Sequence, residues 1–280
     1  MAGITTVSVF AGLLGGQALF AQEAGRTREP TVRVPILVYH HVQDHAVDDV
    51  RTQRILAVPP TAFDAQMATL RDAGVQVVTL GRLLDAIDGR DTIPGPAVVL
   101  TFDDGWASQF ANALPVLRRY GYSATFFIYT APIGRDQGFM TWDEVRALRD
   151  AGMEIGGHTR THQHLPQMRD TAELRDEIAG GREVLERELR APVTAFAYPF
   201  GEWTSREEQV VREAGFRSAR TVDGGRINGP ADRYALHAVQ VSDDMDAFRR
   251  IVGAGRTATG RNAVAASGPK GTGPELPGWR

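Results

Sequence analysis

At 280 residues, 42% hydrophobic and 23% charged, the chain is long enough for one α/β barrel or two small domains and can bury a large core. Its net charge of −3 supplies no electrostatic reason to expect nucleic acid, and none is expected among its partners. The absence of cysteine excludes disulfides, thiolate metal sites, a cysteine nucleophile and a lipidated cysteine.

From the N-terminus, residues 4–20 carry no charge and are mostly small or apolar. The stretch is too short and glycine-rich for a stable membrane span, but it suits a secretory signal over 1–24, cleaved near Ala21 or Ala24. No Lys or Arg precedes it, so the usual basic n-region is missing, and a plain N-terminal apolar segment is the alternative. Export to the periplasm, cell envelope or medium is the expectation.

Behind this segment, from about 32 to 252, short apolar runs alternate with amphipathic stretches. Strands are predicted over 36–40, 75–80, 97–102, 124–129, 153–157, 194–198, 216–221 and 236–241. Helices are predicted over 61–73, 82–87, 108–120, 142–151, 172–190, 205–214 and 243–252. Thr141 ahead of Asp143 and Glu144 marks a helix start, and Gly74, Gly121, Gly152 and Gly215 mark helix ends. Repeated strand–helix alternation calls for a parallel sheet, and about eight strands in this length favour a closed or nearly closed β/α barrel over a doubly wound sheet. Residues 253–280 have almost no periodic apolar signal and read as a disordered tail.

Such barrels place chemistry at the C-terminal ends of their strands. His40, Asp103 with Asp104, His158 with His162, and Tyr198 with Pro199 all fall at predicted strand ends, so one face is implied. Asp103 and Asp104 close the apolar run Val98-Val99-Leu100-Thr101-Phe102, where two carboxylates lose water and repel each other. One of them could cap the following helix. Alternatively a cation sits there, either an arginine or lysine or a metal ion held with histidines. His158 and His162 would meet on one face of a helical turn, the spacing that paired metal-binding histidines use. With one aspartate they would form a three-ligand site open to water, and the second carboxylate would remain as base.

Thr101-Phe102-Asp103-Asp104-Gly105 resembles the first motif of the polysaccharide deacetylase family, the NodB homology domain of carbohydrate esterase family 4. His158-Thr159-Arg160-Thr161-His162 resembles its second motif and Ala197-Tyr198-Pro199-Phe200-Gly201 its third, and the resemblance extends over about 32–252. It implies a single distorted (β/α) barrel with seven or eight parallel strands. It also implies Asp103 as catalytic base and Asp104, His158 and His162 as ligands of a divalent metal, usually zinc. The backbone amide of Phe200, just after Pro199, would help form an oxyanion hole, with Tyr198 beside the substrate.

Two departures qualify the resemblance. Ala197 stands where many members carry an arginine that orients the base, and the late motifs that supply an acid histidine are missing. His237 lies on the last predicted strand in surroundings that do not match, so it reads as a core or rim residue. Val38-Tyr39-His40-His41-Val42 resembles instead the branch that includes poly-β-1,6-N-acetylglucosamine deacetylases, where an N-terminal histidine replaces the late one. That selects His40 as general acid, with His41, His45 and His164 as surface or supporting residues. The implied activity is metal-dependent removal of N-acetyl groups from N-acetylglucosamine units of a polysaccharide, with a poly- or oligosaccharide containing N-acetylhexosamine as partner. A hydrolase of small amides or esters, or a degenerate carbohydrate-binding barrel, are the rival readings.

Overall fold

The structure, a computed structural model, describes residues 31–45 and 56–253. The expected signal over 1–24 and the expected tail after 253 lie outside the described residues. Among the described residues, no helix is long and apolar enough to cross a membrane.

In chain order the strands are β1 (Ile36–Tyr39), β2 (His41–Val42), β3 (Ala57–Val58), β4 (Gln76–Val77), β5 (Ala97–Asp104), β6 (Thr125–Ile128), β7 (Glu154–Gly157), β8 (Ala195–Ala197), β9 (Ser218–Arg220) and β10 (Ala238–Gln240). The main sheet is parallel in the order β10-β1-β5-β6-β7-β8-β9, with β4 alongside β5. A parallel bridge from Arg220 to Leu236, with Leu236 N donating to Ala219 O at 2.9 Å, brings β9 against the chain entering β10. The ring is thereby nearly closed, and the fold is a distorted (β/α) barrel.

Strand β5 explains the architecture best. Its eight residues are all buried, and alternation assigns them to two layers. Val98, Leu100 and Phe102 pack outward under the helices, where Phe102 stacks on Phe126 at 4.7 Å and on Tyr39 at 5.3 Å. Full burial of each such aromatic contributes about 1.5–3 kcal/mol. Ala97 and Val99 face the barrel interior with Ile36, Val38, Phe127, Ala197 and Ala238. By the same parity Asp103 points inward.

The helices are α1 (Pro60–Asp72), α2 (Leu80–Ile87), α3 (Leu114–Tyr120), α4 (Trp142–Asp150), α5 (Thr171–Arg175), α6 (Gly181–Leu189), α7 (Ser205–Glu213) and α8 (Met245–Val252). Thr141 and Glu144 form a reciprocal capping box at the start of α4, as the sequence predicts, and Thr204 and Glu207 form another at α7. Three features differ from the sequence reading. The predicted strand 75–80 shrinks to β4, because the Thr79 hydroxyl accepts from Arg82 N and α2 begins at Leu80. The predicted helices 108–120 and 172–190 each contain a π-helical turn, at Gln109–Ala113 and Asp176–Gly180. The β2–β3 pair, after the first barrel strand, was not anticipated.

Candidate active site

The C-terminal ends of β5 and β7 bring Asp104, His158 and His162 together. On a regular strand Asp103 and Asp104 would face opposite sides of the sheet. Asp104 instead has φ 80° and Gly105 φ 88°, so the chain leaves strand geometry at the rim and both carboxylates serve one end of the barrel. The two histidines do not meet through a helical turn, contrary to the sequence reading. They flank a tight loop whose Thr159 and His162 adopt left-handed backbone, with φ 73° and 61°. Gly156 and Gly157 precede it because Phe127 and Phe216 press against their α-carbons, where a side chain would collide.

Asp104 Oδ1 stands 3.5 Å from Nε2 of His158 and 3.5 Å from Nε2 of His162, and the two nitrogens are 3.2 Å apart. A tetrahedral ion with bonds of about 2.0–2.1 Å spaces its ligands about 3.3–3.4 Å apart, so the triangle has the size of a zinc site face. The supporting contacts leave these three atoms available. Trp106 Nε1 donates to Asp104 Oδ2 at 2.8 Å, while Oδ1 is buried without a hydrogen-bond partner. His158 Nδ1 lies 2.7 Å from the Ala197 carbonyl, which makes it the protonated nitrogen and turns Nε2 toward the cluster. Burial, reinforced by the neighbouring His158, pushes the His162 imidazole down to about 4, against the opposing pull of Asp104 and Asp103. Burial alone would raise Asp104, but the adjacent His158 and the nearby His40 and His162 hold its carboxyl below the usual range. A neutral imidazole and an ionised carboxylate are the forms a divalent metal takes.

Asp103 has a different set of partners. Its Oδ1 accepts from the guanidinium of Arg220 on β9, and its Oδ2 lies 3.9 Å from Nε2 of His40 at the end of β1. Arg220 is 1% exposed and lies over the Phe127 ring at 4.9 Å. Arg220 pairs in register with Ala197, the position where an orienting arginine is expected and missing, so the neighbouring strand delivers the guanidinium. The sequence reading missed Arg220. The available signal was a lone arginine inside a buried strand, which requires a counter-ion. Gln109, from the first π turn, was also missed. Its amide donates to the carbonyls of Asp103 and His40, which ties the ends of β5 and β1 together.

The third motif divides. Pro199 and Phe200 form a 3-10 turn after β8, with Phe200 at φ 58° and 41% exposed, its ring 4.6 Å from the His162 ring. His164 also stacks on Phe200, at 3.9 Å, and is itself held by Glu202 at 2.8 Å. Tyr198 does not face the substrate side, contrary to its expected place. It is 1% exposed, packs on Phe196, and its hydroxyl donates to the Tyr234 carbonyl at 3.0 Å; burial raises it well above the ordinary tyrosine range. His237 precedes β10, at the opposite end of the barrel, and contacts Asp223 at 2.5 Å and Asp232 at 3.6 Å. His45 contacts Asp243, and the His41 ring lies 4.2 Å from that of Trp106.

Residues 90–219 match the family model for polysaccharide deacetylase. The chain is 28% identical over 221 residues to YxkH of Bacillus subtilis, a match that covers 79% of this chain and 75% of that one. It is 26% identical over 235 residues to the poly-beta-1,6-N-acetyl-D-glucosamine N-deacetylase of Escherichia coli, covering 68% of this chain but 34% of that protein. The solved structure of IcaB from Ammonifex degensii superposes with a TM-score of 0.69 at 27% identity, over 79% of this chain and 95% of that one. The matched segment runs through both the aspartate pair and the histidine pair, on a barrel similar to that of IcaB, and residues 90–219 therefore form a polysaccharide deacetylase domain.

Proposed function

We propose that this protein is a metal-dependent hydrolase that removes N-acetyl groups from N-acetylglucosamine units of a polysaccharide outside the cytoplasm. The observation that carries the reading is the triangle of Asp104 Oδ1 and the two Nε2 atoms, set beside a second buried aspartate that has its own arginine. Two imidazoles and a carboxylate suit zinc, which when bound would acidify a water molecule and polarise the acetyl carbonyl. Asp103, held by Arg220, takes the proton of that water as its oxygen adds to the acetyl carbon. The Phe200 amide N–H supports the developing oxyanion. His40 then gives a proton to the sugar nitrogen as the C–N bond breaks, releasing acetate and a free amine. The polymeric substrate is supported by the names of the relatives and by exposed Phe200 and Trp203, whose rings suit the apolar face of a pyranose. The location outside the cytoplasm is supported by the uncharged stretch 4–20 and by the polymeric nature of the substrate.

Acetate release from N-acetylglucosamine oligomers and polymers tests the reading. Activity should vanish with chelator and return with zinc, and His162→Ala should lose the metal as well as the activity. Chelator-resistant turnover, or full metal content in His162→Ala, would remove the metal mechanism. His40→Ala should slow turnover by about 10²- to 10⁴-fold with metal content unchanged. A wild-type rate in that variant would remove His40 as the acid.

A further inference from the structure

The loop that carries His158 and His162 is held in a costly conformation. A β-branched residue at positive φ is a genuine outlier, and Thr159 is one, three residues before His162, which is also left-handed. Such backbone persists only where the surroundings over-determine it. One buried side chain does so. Glu177 Oε2 accepts from the backbone amides of Arg160 at 3.1 Å and Thr161 at 2.9 Å, and its Oε1 accepts from the Thr161 hydroxyl at 2.6 Å. The carboxylate thus occupies the two consecutive amides midway between the histidines. Glu177 is 8% exposed and belongs to the π turn Asp176–Gly180. Gly181, just after that turn, lies so close to Thr159 that an added Cβ would sit 2.9 Å from its carbonyl carbon and oxygen. Helix and loop are in backbone contact there. π turns recur at functional sites because the extra residue re-aims a side chain.

We propose that Glu177 is a positioning residue for the metal centre: it clamps the backbone between His158 and His162 in the conformation that points both Nε2 atoms at one place. It touches neither metal nor substrate and acts through the loop. The inference rests on the metal-centre reading above, since without an ion the clamp would serve stability alone.

The clamp works through hydrogen-bond acceptance and shape, which fixes the pattern among variants. Glu177→Ala leaves two partly buried amide bonds without their acceptor and frees the loop. Glu177→Gln keeps one carbonyl oxygen for the two amides, and its NH₂ can donate to the Thr161 hydroxyl, which accepts as readily as it donates. Thr161→Val deletes one bond and leaves the other two.

Zinc affinity measured by chelator competition on the full chain, with urea unfolding of the metal-free forms in parallel, tests this. Wild type should bind one zinc ion; if it binds none, the metal-centre reading fails, and the clamp role with it. Given wild-type binding, Glu177→Ala should weaken zinc by about 10- to 100-fold, the range seen when supporting partners of ligands are lost. Glu177→Gln should stay within about 3-fold of wild type by the argument that all three bonds survive. Folded Glu177→Ala with wild-type affinity overturns the role, and Glu177→Gln as weak as Glu177→Ala overturns it by making charge rather than position the cause. Should Glu177→Ala fail to fold, Glu177→Asp decides, since it keeps the charge but draws the carboxylate one methylene back from both amides: weaker zinc with unchanged metal-free stability supports the clamp, and unchanged zinc overturns it.

Discussion

Replacing Asp103 by Asn should abolish acetate release, by about 10³-fold or more, while the protein still binds its metal. Asn has the shape of Asp and cannot take a proton from water. The atoms that would hold the ion lie elsewhere: Asp104 Oδ1 and the two Nε2 atoms, steered by Trp106 and by the Ala197 carbonyl. A rate loss with metal retained therefore isolates the base. The converse pattern, a loss of metal with the loss of rate, would make Asp103 a ligand, and full activity would remove it from the chemistry. Folding stability must be followed in the same experiment, because Asn also leaves the Arg220 guanidinium buried without its charged partner.

The contrast between Asp103 and Arg220 shows what a linear reading reaches. The aspartates and histidines announce themselves because they break apolar strands at their ends, where barrel chemistry sits, and their spacings match a family. Strand β5 was predicted to within two residues for the same reason, since eight buried positions leave no other structure. Arg220 is invisible to that approach. Its role is defined by a partner on β5, far away in sequence, and by its register with Ala197 across β8 and β9. Looking for an arginine near position 197 along the chain finds none, although one sits beside it across the sheet.

Local dihedrals explain the other misses. The two-histidine spacing predicts a helical turn, but the loop achieves the same convergence with two left-handed residues and a carboxylate clamp, which no periodicity encodes. A π turn adds one residue inside a long helical pattern and shifts the phase of everything after it. Gln109 and Glu177, the polar residues these turns aim at the site's backbone, therefore looked like ordinary helix positions. Tyr198 was placed beside the substrate by its motif, yet a donor satisfied by the Tyr234 carbonyl makes it part of the core.

Arg220→Met should cost about 3–5 kcal/mol of stability in the metal-free protein, because it strands the Asp103 carboxylate in a buried site. It should also slow turnover, since Asp103 Oδ1 loses the group that holds it. The decisive variant is Arg220→Met combined with Asp103→Asn. Two independent losses would add, whereas two halves of one buried ion pair cannot, because the second substitution removes the charge that the first left unpaired. The double variant should therefore be more stable than either single one when unfolded by urea in the presence of chelator. Costs that sum would mean that Arg220 and Asp103 stabilise the barrel separately, and the guanidinium from β9 would then no longer explain how this chain dispenses with an arginine at position 197.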